Sequence, residues 1–198
     1  MTLAGDRQHL LNRYEFVDLA RKVVGVGSVG TRCWVGLFIG RDHGDPLVLR
    51  VKEAEHSVAE PFLQPSEYTN MGQRVVEGQR LVQSASDIFL GWDRVTGFDG
   101  VLRDFYFRQM WDWKLSPDVD TMEPATFEIY AQMCGWVLAL GHARSGDAIA
   151  IGSYLGAGTR FDEAMATFAS SYADQNERDH QALKLAIATN KVHAISDI

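Results

Sequence analysis

The chain has 198 residues, 46% of them apolar, with five Trp, ten Phe and six Tyr; that is enough for one domain or two small ones with a buried core, and unlike a disordered chain. Its formal charge is -7 and its pI about 5.3, which argues against the broad basic face of a nucleic-acid binder but not against a local cationic pocket. No stretch approaches the ~20 apolar residues of a membrane span, and "MTLAGDRQHLLNRYEF" lacks a signal-peptide core, so the expectation is a cytoplasmic protein with neither nucleic-acid nor membrane partners.

In chain order, the first feature is "VVGVGSVGTRCW" (23–34), where Gly25, Gly27 and Gly30 form G-x-G-x-x-G. "TRCWVGLFI" (31–39) is aromatic and β-branched and stops at Gly40, as a strand would. "GRDHGDP" is turn chemistry. "LVLRVKEA" (47–54) sets Leu47, Leu49 and Val51 against Val48, Arg50 and Lys52, the period of a strand. "SEYTNMGQRVVEGQRLVQSA" follows, with Tyr68, Met71, Val75, Gly78, Val82 and Ala85 at steps of three and four. That predicts one apolar stripe on a helix, weakened at Gly72 and Gly78 by roughly 1 kcal/mol each relative to Ala.

"DIFLGWDRV" and "RDFYFRQMWDW" predict two more strands across "TGFDG". "KLSPDVDTMEP", with Pro117 and Pro124, suits a linker. "PATFEIYAQMCGWVLALGHA" and most of "GTRFDEAMATFASSYADQNERDHQALKLAIAT" suit helices, Thr159 and Asp162 having the spacing of a capping box. Strands followed by helices predict an α+β fold. The expected division is a β-rich segment 1–115 and a helical segment 116–198, the two forming separate units or one continuous domain.

The glycine loop fits some phosphate sites and not others. A Walker-type loop needs Gly-Lys-Ser/Thr, and here Thr31-Arg32 follows Gly30. The dinucleotide fingerprint needs a helix after the glycines, where 31–39 predicts a strand. Strand, glycine loop, strand, turn and strand with a lysine is instead the order of a protein-kinase-like small lobe. In that arrangement the hairpin 17–39 lays Gly25, Gly27 and Gly30 over nucleotide phosphates with Ser28 at the tip. Lys52 then reaches the phosphates, and Glu77 on the next helix holds its ammonium. The alternative is a structural hairpin with a bulge, a solvated Lys52, and Glu77 as a surface partner of Arg74 or Arg80.

Other constellations carry less. "HARSGD" (142–147) has Arg144 where a kinase catalytic loop has Asp, and is read as a helix C-terminus. Glu53/His56 and Glu177/His180 have the Glu-x-x-His spacing of di-metal helices, without the further glutamates such a centre needs. Cys33 and Cys134 are read as free, buried thiols of a reducing compartment, the alternative being a single disulfide between them. Trp111, Trp113 and Lys114 take no assigned role.

"KVVGVGSVGTRCW", "VKEAEHSVAEPF", "GQRVVEGQRLVQSASDIFLGW", "DFYFRQMWDWK", "HARSGD" and "YADQNERDH" resemble the bacterial domain-of-unknown-function 2252 family, in order and over nearly the whole chain. That family is similar to the protein-kinase-like superfamily, nearest to small-molecule and aminoglycoside phosphotransferases. The resemblance implies ATP and Mg²⁺ as cofactors, with Gly25, Gly27, Ser28, Gly30, Lys52 and Glu77 on the nucleotide. Family members are longer, with a catalytic-loop-like G-D-x-H-x-x-N and then D-x-N-D ahead of the region matched here. None of the Gly-Asp pairs in this chain has the His and Asn. The resemblance therefore implies a C-terminal portion that binds nucleotide but is incomplete for catalysis. Its expected partners are the nucleotide and either the N-terminal half or a second copy of the chain. The alternative is a non-catalytic binding or regulatory module.

Overall fold

The computed structural model describes every residue except 1, 4, 24, 26, 27, 29, 111–115 and 195–198. Two compact units result, residues 1–146 and 147–198.

The first unit is a five-stranded antiparallel sheet with helices. Helix α1 (Gly5–Leu11) precedes strands β1 (Glu15–Arg21), β2 (Cys33–Ile39) and β3 (Pro46–Ala54). Helix α2 (Met71–Val82), strands β4 (Gly91–Thr96) and β5 (Leu102–Gln109) and helix α3 (Pro124–Ser145) follow. Strand order is β1-β2-β3-β5-β4. The glycine loop joins β1 to β2, so the residue run after Gly30 is a strand paired antiparallel to the one before it. A bulge between Phe16 and Asp18 shifts the β1 register, and every β1 residue is exposed, as suits an edge strand.

The two sheet faces have different covers. Leu47 and Leu49 of β3 form one core with Leu11 of α1 and Phe89, flanked by Leu3, Leu10, Tyr14 and Phe38. The seven-residue α1, which nothing in the sequence signalled, forms because these leucines have that sheet face to cover. On the other face lies α2, whose buried residues are Met71, Gly72 and Val76.

The stripe expected on α2 is therefore rotated. Val76, not Val75, is fully buried, and Val82 is exposed. Two contacts set the rotation. Asn70 caps the helix, its side chain accepting the Gln73 N–H at 2.9 Å. Gly72 lies so close to β5 that a Cβ there would collide with the Phe105 carbonyl. The glycine that seemed a weakness is what lets helix and strand backbones meet.

Helix α3 packs along α2, and Arg144 donates to the Val82 carbonyl at 3.1 Å. A guanidinium at the C-terminal end of α2 is favourably placed against that helix's dipole. None of the residues of α3 is buried. Cys134 is consequently exposed, which corrects the expectation of a buried thiol; Cys33 is buried, and both are free.

The second unit consists of α4 (Ala148–Leu155) and α5 (Arg160–Ala188). Asp147 caps α4, accepting from the Ile149 and Ala150 N–H groups. This short helix was hidden in the sequence behind "HARSGD". The expected capping box on α5 is not formed: the Thr159 hydroxyl donates to the Glu163 carboxylate at 2.8 Å and makes no cap to the backbone. Among the described residues no helix is long and apolar enough to cross a membrane.

Candidate functional site

The hairpin turn is organised by its own backbone. Lys22 N–H donates to the Cys33 carbonyl at 2.9 Å, extending the β1–β2 ladder to the base of the loop. Ser28 N–H donates to the Gly25 carbonyl at 2.9 Å, and Thr31 returns its N–H and hydroxyl to the Ser28 carbonyl at 3.2 and 2.9 Å. Gly30 closes the turn at φ +86°, a conformation that disfavours any side chain. Gly25 needs no such freedom, and a Cβ on it would meet no atom within 4 Å. Gly27, part of the same motif, lies outside the described residues.

Strand β3 brings Lys52 to this turn. Its register pairs Lys52 with Cys33 on β2 and with Tyr106 on β5. The Lys52 ammonium donates to Ser28 Oγ at 2.6 Å, so the turn folds toward β3. Thus the structure joins Ser28 and Lys52 and sets Gly25 and Gly30 around them. It does not bring Glu77 to the lysine. Glu77 accepts from Arg80 at 3.0 Å, one turn along the same helix, and its charge also acts on Tyr68. Position on α2 explains the difference. The helix enters the sheet through Met71, Gly72 and Val76, and Glu77 follows Arg80 toward Trp92, over which that guanidinium sits.

Two arginines that sequence reasoning left without a role share the lysine's face. Residues opposite each other in an antiparallel ladder project to the same side. Arg50 of β3 lies opposite Arg108 of β5, and Lys52 is two residues along from Arg50. Tyr106, opposite Lys52, completes the group; burial raises its hydroxyl pKa while Arg50 and Arg108 pull it down. Arg50 Nε is buried and has no hydrogen-bond partner among the described residues. The period-two spacing of Arg50 with Lys52, and of Tyr106 with Arg108, was visible in the sequence. Their pairing across strands was not.

The opposite face holds an apolar cavity of about 550 Å³, lined by Trp34, Val51, Phe98, Phe105 and Phe107 among others. By size and lining it would pass as a ligand pocket. Its charged rim is self-contained, however. Glu53 pairs with Arg32 at 3.2 Å and Arg103 at 3.1 Å, and Asp99 pairs with Arg103 at 2.7 Å. The hydrogen bond from Arg103 holds the Asp99 carboxyl far below the usual carboxylate range. These groups brace β5 and the 97–101 turn, whereas the cations on the Lys52 face retain donors. The Lys52 face is therefore the candidate site.

The glutamates of both Glu-x-x-His pairs have other partners. Glu53 is committed to arginines, and Glu177 accepts from Gln181 at 2.8 Å. Among the described residues no three His, Cys, Asp or Glu side chains are grouped to hold a metal ion.

Fold and site together define an antiparallel sheet domain with α1 on one face and α2 on the other, a glycine hairpin and a lysine-centred cationic face. The family model described as an uncharacterised protein conserved in bacteria, DUF2252, matches residues 1–186. The chain belongs to that family. No curated protein and no solved structure matches it.

Proposed function

We propose that the first unit binds the phosphates of a nucleotide such as ATP between the glycine hairpin and Lys52, in the manner of a protein-kinase-like small lobe. The observation that carries this is the 2.6 Å hydrogen bond from Lys52 to Ser28 across the hairpin. It supports the reading because an ammonium and a hydroxyl meet at a glycine turn, and such donors stabilise phosphate oxygens by charge-assisted hydrogen bonds. The order of elements, with a single helix between β3 and β4, is also that of such a lobe. The proposal is for binding. Phosphoryl transfer would also need carboxylates for Mg²⁺ and for the acceptor hydroxyl. Thermal unfolding of the chain with and without ATP tests it. ATP should raise the midpoint of the wild type and leave Lys52→Met unmoved; equal shifts in both would refute the reading.

A second reading, a non-catalytic interaction module, is favoured by α3. Phe127, Ile129, Met133, Trp136, Val137 and Leu138 are all exposed on that helix. A helix apolar all round normally buries itself against a partner. Sedimentation of the wild type should then show concentration-dependent self-association that Trp136→Glu removes. A wild type monomeric at all concentrations would count against a second copy as that partner.

A further inference from the structure

The glycine hairpin and Lys52 account for one end of the cationic face, and the arginines two residues away remain unexplained. Arg50 and Arg108 are directly opposed in the β3–β5 ladder. Opposed Cα atoms in such a ladder are about 4.5–5.5 Å apart, and like charges placed so repel. A folded sheet gains nothing from that arrangement unless an anion lies across the pair. Among the described residues no carboxylate is paired with either guanidinium, and Arg50 Nε is a buried donor with no acceptor. A buried donor left unpaired normally costs about 1–3 kcal/mol. Helix α2 lies along this same face, from Met71 at Asp104 to Arg80, which sits over Trp92 and donates to the Leu90 carbonyl at 3.0 Å, and among the described residues no α2 side chain is hydrogen-bonded to either arginine.

Lys52 lies about 6.5–7 Å along β3 from Arg50, the rise of two strand residues. Three cations thus line one strip of sheet surface, from the glycine turn toward the end of β5. The strip is longer than a single phosphate and of one sign. Guanidinium groups suit this because their planar donors engage phosphate oxygens in pairs.

We propose that Arg50 and Arg108 form a second anion subsite, so that the ligand is a polyphosphate chain running from the Ser28–Lys52 turn onto the arginine pair and recognised by its phosphates rather than by a base. This inference rests on the phosphate reading of Lys52 and specifies its ligand class. It implies that nucleoside triphosphates and inorganic tripolyphosphate are near-equivalent ligands and that a nucleoside without phosphates is not one.

Calorimetric titration of the full chain with inorganic tripolyphosphate, ATP and adenosine tests this. The expected result is that tripolyphosphate binds within about fivefold of ATP, that adenosine does not bind, and that Arg108→Gln weakens both anions by about tenfold or more, the scale of one lost charge-assisted contact. Unliganded Arg108→Gln should also melt higher than the wild type, because the opposed like charges are gone; a purely structural arginine would give the reverse. ATP binding with tripolyphosphate a hundredfold weaker overturns the proposal, as does Arg108→Gln binding both anions like the wild type. The two failures separate. Loss of binding in Lys52→Met with none in Arg108→Gln removes the arginine subsite and leaves the lysine. Loss in Arg108→Gln with none in Lys52→Met does the opposite. Binding of neither anion by the wild type removes both.

Discussion

Lys52 Nζ and Ser28 Oγ, 24 residues apart in sequence, are joined by a 2.6 Å hydrogen bond that ties the glycine hairpin to the central strand. The ammonium keeps two further donors, and the hydroxyl is a replaceable partner. Ser28→Ala should therefore cost about 0.5–1.5 kcal/mol or less in denaturant unfolding, since the bond is only partly buried. Its ATP-induced thermal shift should persist, reduced. Complete loss of that shift in Ser28→Ala would assign the recognition to the serine.

Gly25 and Gly30 should part company on substitution. Gly30 at φ +86° is in left-handed space, so Gly30→Ala should destabilise by roughly 1–2 kcal/mol. Gly25 has room for a Cβ and no left-handed φ. Gly25→Ala should be neutral or stabilise by up to about 1 kcal/mol through the unfolded chain. If phosphate lies against that backbone, the added methyl should still weaken ATP binding severalfold in a titration. Unchanged affinity would favour a hairpin that is structural only.

The two glycines of α2 form a matched pair. Gly72→Ala drives a methyl into the Phe105 carbonyl, a backbone atom that cannot move aside. It should lower stability by about 2 kcal/mol or more, as overpacking does. Gly78 meets nothing within 4 Å, so Gly78→Ala should raise stability by about 0.5–1 kcal/mol on helix propensity. Urea midpoints of the two variants moving in the same direction would show that α2 is placed otherwise.

Asp104 pins the start of α2 to β5. It accepts the Met71 N–H at 2.7 Å, the Asn70 amide at 3.2 Å and the Arg94 guanidinium at 2.9 Å. The Arg94 hydrogen bond is the main cause holding its pKa below the ordinary 3.8. A carboxyl depressed on folding contributes fully above its unfolded value and loses that contribution as pH falls through the folded one. Asp104→Asn should cost about 1–3 kcal/mol at neutral pH. The gap between wild type and variant, followed by thermal unfolding, should be constant above about pH 5 and close progressively as pH falls through the unfolded value of 3.8 toward the lower folded one. A gap that changes between pH 5 and 8 would point to a different titrating group.

Much of this was legible in the residues. Period-two alternation in "LVLRVKEA" and glycine spacing in "VVGVGSVG" foretold a hairpin leading to a lysine-bearing strand, and the structure has that hairpin and strand. Alternation works because side chains on a strand change face with every residue, so a single strand carries its own pattern. The α+β composition and the long helices beyond Pro124 were visible for the same local reason.

What the chain does across its strands was decided only by tertiary structure. Sequence left Glu77 either to Lys52 or to Arg74 or Arg80; with Gly72 fitted against the Phe105 carbonyl, the helix leaves Glu77 with Arg80. Sequence placed Arg50 and Arg108 on separate strands; the β3–β5 register set them face to face. Helix rotation and strand register depend on which distant backbones approach each other, and no local periodicity encodes that choice.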